Sequence, residues 1–266
     1  MSLKVRAFHR FHLVDPSPWP MYTSFSAFTM MIGGVMCFQR HEQGLLVLST
    51  SLILLLLVMF TWWNDVVCEG LFEGHHTAIV QEGLKQGMIL FIVSEIMFFF
   101  AFFWAFFDAS LNPNQCIGGV WPPAFMTVLD AWKIPFLNTL LLLTSGATLT
   151  YSHMAIRHGN KRQAYLGLVA TLVLAVYFTG LQYFEYCNAP FSISDSVYGS
   201  VFFLITGFHG IHVMIGSIFL FVSLLRLNSD HFSQEHHLGF EFASWYWHFV
   251  DVVWIFVFIV IYLWGS

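Results

Sequence analysis

Charge is what this chain has least of. Its 266 residues include only 9% Asp, Glu, Lys and Arg, where a soluble domain carries about 25%. Too few polar groups remain to cover a water-exposed surface, and a chain this apolar is not disordered. Cysteine is scarce as well. Cys37, Cys68, Cys116 and Cys187 are far apart and form no CxxC or other ligand spacing. That excludes a disulfide-stapled secreted fold, and each is expected to be a buried small hydrophobe. No basic run supplies a nucleic-acid face, so nucleic acid is excluded as a partner. The start has no signal-peptide pattern, because Lys4, Arg6, His9, Arg10 and Asp15 precede any apolar run. It is also too short and mixed for a typical transit peptide, so synthesis close to the target membrane is expected.

What the chain has in excess is apolar side chain. Hydrophobic residues make up 58%, aromatics 19%, and Phe alone contributes 31. Mean hydropathy is +0.71. The solvent is a bilayer, and a span needs about 20 mostly apolar residues. Seven stretches qualify, at 21–39, 45–63, 84–107, 134–154, 164–187, 197–225 and 238–264, giving one all-α domain over residues 1–266. The connections are short except 64–83 and 108–133. Lys4, Arg6, Arg10, Lys85, Arg157, Lys161, Arg162 and Arg226 fall on one side, and only Arg40 and Lys133 on the other. The positive-inside rule then puts the N-terminus inside and the C-terminus outside. Trp62, Trp63, Trp121, Trp132, Trp245, Trp247 and Trp264 lie near span ends, as an aromatic belt requires.

Three groups are expensive where they sit. Glu95 is midway along the third span, where an ionisable side chain costs several kcal/mol and is a functional candidate. The structural alternative is a carboxyl hydrogen-bonded to a neighbouring helix, with Ser94 and other hydroxyls at hand. His248 and Asp251 are three residues apart on the seventh span, share a face, and are expected to form a buried hydrogen-bonded pair. Arg226 closes the sixth span at headgroup depth, where it either binds a lipid phosphate or snorkels. Thirteen histidines raise haem or copper. His209 and His212 share a face beside Gly207 and Gly210, which would let a neighbouring helix close in. A haem would need one of them opposite His153 or His248, and spacing does not fix that. The neighbours His75-His76 and His236-His237 lie in loops and rarely point at one metal, so no metal site is expected.

Longer strings are more specific. His12-Leu13-Val14-Asp15-Pro16-Ser17-Pro18-Trp19-Pro20 and Glu73-Gly74-His75-His76-Thr77, followed by Leu90-Phe91-Ile92-Val93-Ser94-Glu95, resemble cytochrome c oxidase subunit III. So do Thr206-Gly207-Phe208-His209-Gly210-Ile211-His212-Val213 and Trp245-Tyr246-Trp247-His248-Phe249-Val250-Asp251-Val252-Val253-Trp254. The strings keep the family's order and run from about residue 12 to the end, with mitochondrial forms most similar.

The resemblance implies a polytopic protein of seven transmembrane helices, in which two-helix and five-helix bundles are separated by a lipid-filled V-shaped cleft. It implies no redox centre in this chain: haem and copper belong to partner subunits I and II. Glu95 matches the family's buried carboxylate. Trp63, Glu69, His76, His212 and Arg226 match its lipid-headgroup contacts, with an ethanolamine lipid suiting the acceptor Glu69 and a glycerol headgroup, which could also donate hydroxyls, as the alternative. Four positions depart from the usual pattern: Asn64 and Cys68 replace arginines, Ala131 a proline, and Met154 a histidine. The first two weaken any cardiolipin contact.

The implied function is a non-catalytic core subunit of the oxidase, which passes electrons from cytochrome c to oxygen and pumps protons. Its share would be to stabilise the catalytic subunit, bind structural phospholipids, and support proton and oxygen delivery. Asp65, Glu69, Glu73, His75, His76 and Glu82 would collect protons. Expected partners are subunits I and II, accessory subunits, membrane lipids and a respiratory supercomplex. The expected location is the mitochondrial inner membrane, N-terminus in the matrix and C-terminus in the intermembrane space, the bacterial plasma membrane being the alternative. The competing function is a seven-helix transporter or receptor using Glu95 and Asp251 as intramembrane charges.

Overall fold

The computed structural model describes residues 10–124 and 126–265. Lys4 and Arg6, which contribute to the expected orientation, lie outside the described residues, as does the side chain of Cys116. Among the described residues there are seven α-helices: α1 Trp19–Phe38, α2 Gly44–Leu71, α3 Ala78–Leu111, α4 Ile134–Arg157, α5 Lys161–Asn188, α6 Ser196–Asn228 and α7 Leu238–Val257. A π-helical segment, Phe258–Trp264, continues α7, and a 3-10 turn, Gln115–Ile117, follows α3.

The first of the two long linkers shrinks. Helix α2 runs on to Leu71 rather than stopping at 63, and α3 begins at Ala78, so only 72–77 remain between them. The polar residues after Trp63 leave the apolar stretch, yet they still complete backbone hydrogen bonds, down to Phe72 N–H donating to Cys68 O at 2.9 Å. Hydropathy marks the bilayer, whereas helices end where the backbone does. Here α2 ends at Leu71, and Gly74, with φ of 72°, turns the chain beyond it.

Six of the seven helices are long and apolar enough to cross a membrane, and α4 is the exception. At 24 residues it would span about 36 Å, more than the ~30 Å hydrocarbon core. What lowers its hydropathy is a series of hydroxyls turned toward other helices. Thr148 meets Thr171 at 2.8 Å, and Ser152 Oγ donates to Ala164 O at 2.7 Å.

The chain divides into two compact units, Met1–Leu84 and Lys85–Ser266. In the first, α1 and α2 approach at Gly33, where a Cβ would sit 2.6 Å from the backbone nitrogen of Leu48. The Trp19 indole N–H donates to Asp65, tying the start of α1 to the far part of α2.

The second unit is organised around α7, whose side chains Trp247, Val250, Trp254 and Val257 are fully buried. Two indoles fasten it to α4: Trp247 Nε1 donates to Ser145 Oγ and Trp254 Nε1 to Thr139 Oγ1, both at 2.9 Å. Trp247 is therefore a core residue and not part of an interfacial belt. Its ring also abuts α6 at Gly216, where a Cβ would come within 2.9 Å of Trp247 Cε3. The close approach expected at Gly207 and Gly210 is absent. The nearest atom to a Cβ at Gly207 is 3.8 Å away, and nothing lies within 4 Å at Gly210. The cysteines differ from expectation too, since Cys187 is exposed and Cys37 and Cys68 are only half-buried. In a bilayer, outward-facing apolar thiols carry no penalty.

Candidate functional site

Glu95 projects from α3 toward α6, where its Oε2 meets His212 Nε2 at 2.7 Å. The other ring nitrogen, Nδ1, lies 2.7 Å from Phe208 O, a carbonyl that only accepts. Nδ1 therefore carries hydrogen, and a proton lies between Nε2 and the carboxyl. Phe99 stacks edge-on against the imidazole at 4.9 Å. Glu95 is half-buried rather than buried, its side chain 23% exposed against 9% for His212. Ser94 takes no part, since its hydroxyl donates to Phe91 O.

His212 stands apart from Arg226, with which the resemblance groups it as a headgroup contact. Both ring nitrogens are engaged, and 14 residues of α6, about 21 Å of rise, separate it from Arg226. One headgroup cannot reach both.

His248 and Asp251 approach as the spacing predicts, but less tightly. Nδ1 and Oδ2 are 3.7 Å apart, beyond hydrogen-bond distance, and only Asp251 is buried. His248 Nε2 reaches Thr150 Oγ1 at 3.5 Å. Gly146 on α4 makes room for the carboxylate: a Cβ there would be 2.6 Å from Asp251 Oδ2. The other carboxylate oxygen, Oδ1, is buried without a partner.

Arg226 occupies the last turn of α6. Its guanidinium lies 4.7 Å over the Phe232 ring and against Gly239, and its Nε is buried without a hydrogen-bond partner. No carboxylate among the described residues pairs with it. The cation–π contact positions the guanidinium while leaving its charge without a carboxylate partner.

In the first unit, Trp63 is exposed on α2, and Glu69 lies on the same helix nearly two turns on. Glu69 Oε2 is 3.9 Å from His12 Nε2, and ligating atoms of His12, Glu69 and His76 lie within 4.8 Å of one another. His12 stacks on His75 at 4.9 Å. The expected proton-collecting acids lie within this unit. Glu73 pairs with His75 at 3.2 Å, while the Asp65 carboxylate accepts from Trp19. Asn64 is exposed and Cys68 half-buried on the same stretch of α2, where arginines would reach the same zone.

Two groups escaped the sequence. His12 opens the first motif string, yet 57 residues separate it from Glu69, and only the fold joins them. Glu185 is more deeply buried than either acid singled out, at 2% exposed. It accepts from Tyr262 Oη and, at 3.5 Å, from Gln182 Nε2. Close to the end of a span, it reads as an interfacial residue. The histidines also combine unexpectedly. His209 is buried beside Trp254 and Phe178, and His153 meets His237 rather than any α6 histidine.

The family model for cytochrome c oxidase subunit III matches residues 9–266. The chain is 59% identical to cytochrome c oxidase subunit 3 of Prototheca wickerhamii over 97% of its length and 98% of that protein. It is 58% identical to that of Arabidopsis thaliana, over 97% of each chain. It is 54% identical to that of Cyprinus carpio, over 97% of its length and 98% of that protein.

Proposed function

The chain belongs to the cytochrome c oxidase subunit III family and is thus a subunit of an oxidoreductase complex, and we propose that its work there is to hold phospholipid and supply protons without catalysing electron transfer itself. Haem and copper would stay with subunits I and II. The family match sets aside the transporter or receptor. Six membrane-length apolar helices make it a multi-pass membrane protein, which we assign to the mitochondrial inner membrane with its N-terminus in the matrix.

One observation carries the lipid reading: Arg226 ends a membrane helix as a fixed cation with no carboxylate partner among the described residues. A guanidinium in that position is satisfied by a phosphate, which it grips with two parallel hydrogen bonds. His76 and the Trp63 indole add donors in the first unit. Glu69, an acceptor when ionised, suits an ammonium headgroup. The acids and imidazoles around Glu73 and His75 supply exchangeable protons just ahead of α3 in the chain, and the Glu95–His212 pair is a holding point further along.

The test is lipid retention. The complex carrying Arg226→Gln should lose a phospholipid that survives purification in the wild type, as counted by mass spectrometry of extracted lipid. Equal lipid content in both would overturn the phosphate assignment. Arg226→Lys should recover only part of the loss, because an ammonium cannot make the planar fork.

A further inference from the structure

At the end of the second unit where α4 finishes and α7 begins, three ligating atoms converge from distant parts of the sequence. His153 comes from the penultimate turn of α4, His237 caps α7, and Glu241 lies in the first turn of α7. His153 Nε2 is 3.2 Å from His237 Nε2, which is 3.4 Å from Glu241 Oε1, and all three atoms lie within 4.8 Å of one another. His237 is buried and the other two are half-buried.

The tautomer makes this convergence unusual. His237 Nδ1 lies 3.0 Å from Ser233 O, and a carbonyl can only accept, so Nδ1 bears the hydrogen. In the neutral ring Nε2 then presents a lone pair to a carboxylate oxygen and a second imidazole. His153 Nε2 either donates a hydrogen to that lone pair or, in its other tautomer, adds a third acceptor, and three acceptors facing one another repel unless a cation sits among them. The loop before His237 is set to hold this arrangement: Ser233 N–H donates to His236 O at 3.1 Å, and His236 N–H donates to Ser233 Oγ at 3.0 Å. An imidazole fixed through its far nitrogen to a backbone carbonyl is the usual support for a metal-binding histidine.

We propose that His153, His237 and Glu241 bind a divalent transition-metal ion, with zinc the best chemical match. At zinc–ligand bonds of about 2.0–2.1 Å, the edge of a tetrahedron is about 3.3–3.4 Å, which the His153–His237 and His237–Glu241 separations approach. An octahedral site with bonds of that length would need edges of about 3.0 Å. Two histidines and one carboxylate leave a fourth position for water. The ion would fasten the start of α7 to the end of α4, at the opposite end of α7 from the Trp254–Thr139 bond. Glu241 is favourably placed for an anion, since it lies at a helix N-terminus. Arg157 is one turn beyond His153 on α4 and is the nearby cation the site must tolerate. The proposal does not depend on the lipid reading, because none of its residues belongs to that set.

The competing occupant is a proton, either on His153 Nε2 and donated to His237 or on His237 Nε2 and shared with Glu241 or His153. The intact complex distinguishes the two. After dialysis against a chelator and incubation with zinc alone, metal content is measured by mass spectrometry for wild type, His237→Ala, Glu241→Gln and, as a control outside the triad, His236→Ala. Wild type and His236→Ala should retain one zinc per complex more than the other two variants. Loss of a ligand should weaken binding by more than the ~10–100-fold typical of a supporting residue. Equal zinc in all four overturns the proposal and leaves the proton as occupant. If His237→Ala does not assemble, zinc-edge anomalous diffraction from the wild type decides. Density bonded to the three side chains supports the site, and zinc density elsewhere alone refutes it.

Discussion

Gly216→Ala tests whether the α6–α7 contact is as tight as it looks. The added methyl would sit 2.9 Å from Trp247 Cε3, 3.2 Å from Cζ3 and 3.3 Å from Tyr246 Cδ1. The indole cannot simply retreat, because on its other side Nε1 is bonded to Ser145 Oγ at 2.9 Å and the residue is fully buried. Overpacking a core costs about 1–3 kcal/mol. If the ring shifts enough to break its hydrogen bond, a further ~0.6–1.7 kcal/mol is lost, the range for such bonds between membrane helices. Against this, alanine gains about 0.8–1.0 kcal/mol over glycine in a helix interior. The net is a destabilisation of about 2 kcal/mol. The assay is thermal release of this subunit from the purified complex, followed by native electrophoresis. In a Trp247→Leu background the methyl has room, so Gly216→Ala should there be neutral or stabilising. The same cost in both backgrounds would refute the account.

Other consequences follow from the polar pairs. His212→Ala strips Glu95 of its partner and should destabilise the subunit, whereas in a Glu95→Leu background the same change should cost less; the coupling, about 0.6–1.7 kcal/mol, is read from the thermal release of the four combinations. Gly146→Ala pushes a methyl against Asp251 Oδ2, and Asp251→Ala should rescue it by removing that oxygen, as scored by recovery of assembled complex. Glu185→Leu leaves the Tyr262 hydroxyl buried and unpaired and should cost about 1–3 kcal/mol, whereas adding Tyr262→Phe should recover much of the loss in the same assay.

The sequence made the helices legible because lipid demands long apolar runs. It made their ends illegible, since α2 and α3 run past the apolar stretch on backbone hydrogen bonds alone. Glu95, His248, Asp251 and Arg226 were conspicuous because charge is rare here and each breaks an apolar pattern. Their partners were not. His212 lies 117 residues from Glu95, Gly146 lies 105 from Asp251, and no periodicity links such positions. Trp247 shows the limit most clearly. Near a span end it reads as an interfacial anchor, but the face it occupies on α7 is set by Ser145 and Gly216, residues unremarkable in themselves. Ser145 also shows why α4 looked less apolar than its neighbours: its hydroxyls serve other helices and not water.

That reversal explains how a chain with so little charge builds a specific fold. Between membrane helices, apolar burial gives little discrimination, because lipid is as apolar as leucine. Leu54, Phe100, Val176 and Phe256 accordingly stay exposed, while Asn138, Ser145, Thr171, Gln182, Glu185, Thr206, His209 and Asp251 are buried. What tells α7 and its π-helical continuation where to sit is the set of polar fixings they must satisfy: Trp247 to Ser145, Trp254 to Thr139, Tyr262 to Glu185 and, at the N-cap, His237 to His153. These fixings are distributed along the whole length of α7, so sliding the helix by one turn would break all of them together. Register is therefore set by a few hydrogen bonds that lipid cannot replace. If that is right, removing any single one should loosen the subunit modestly. Removing the two indole bonds together, with Ser145→Ala and Thr139→Val, should cost more than their sum, because either bond holds the register when the other is lost and neither remains in the double variant. Strict additivity in the release assay would show that packing, not hydrogen bonding, positions α7.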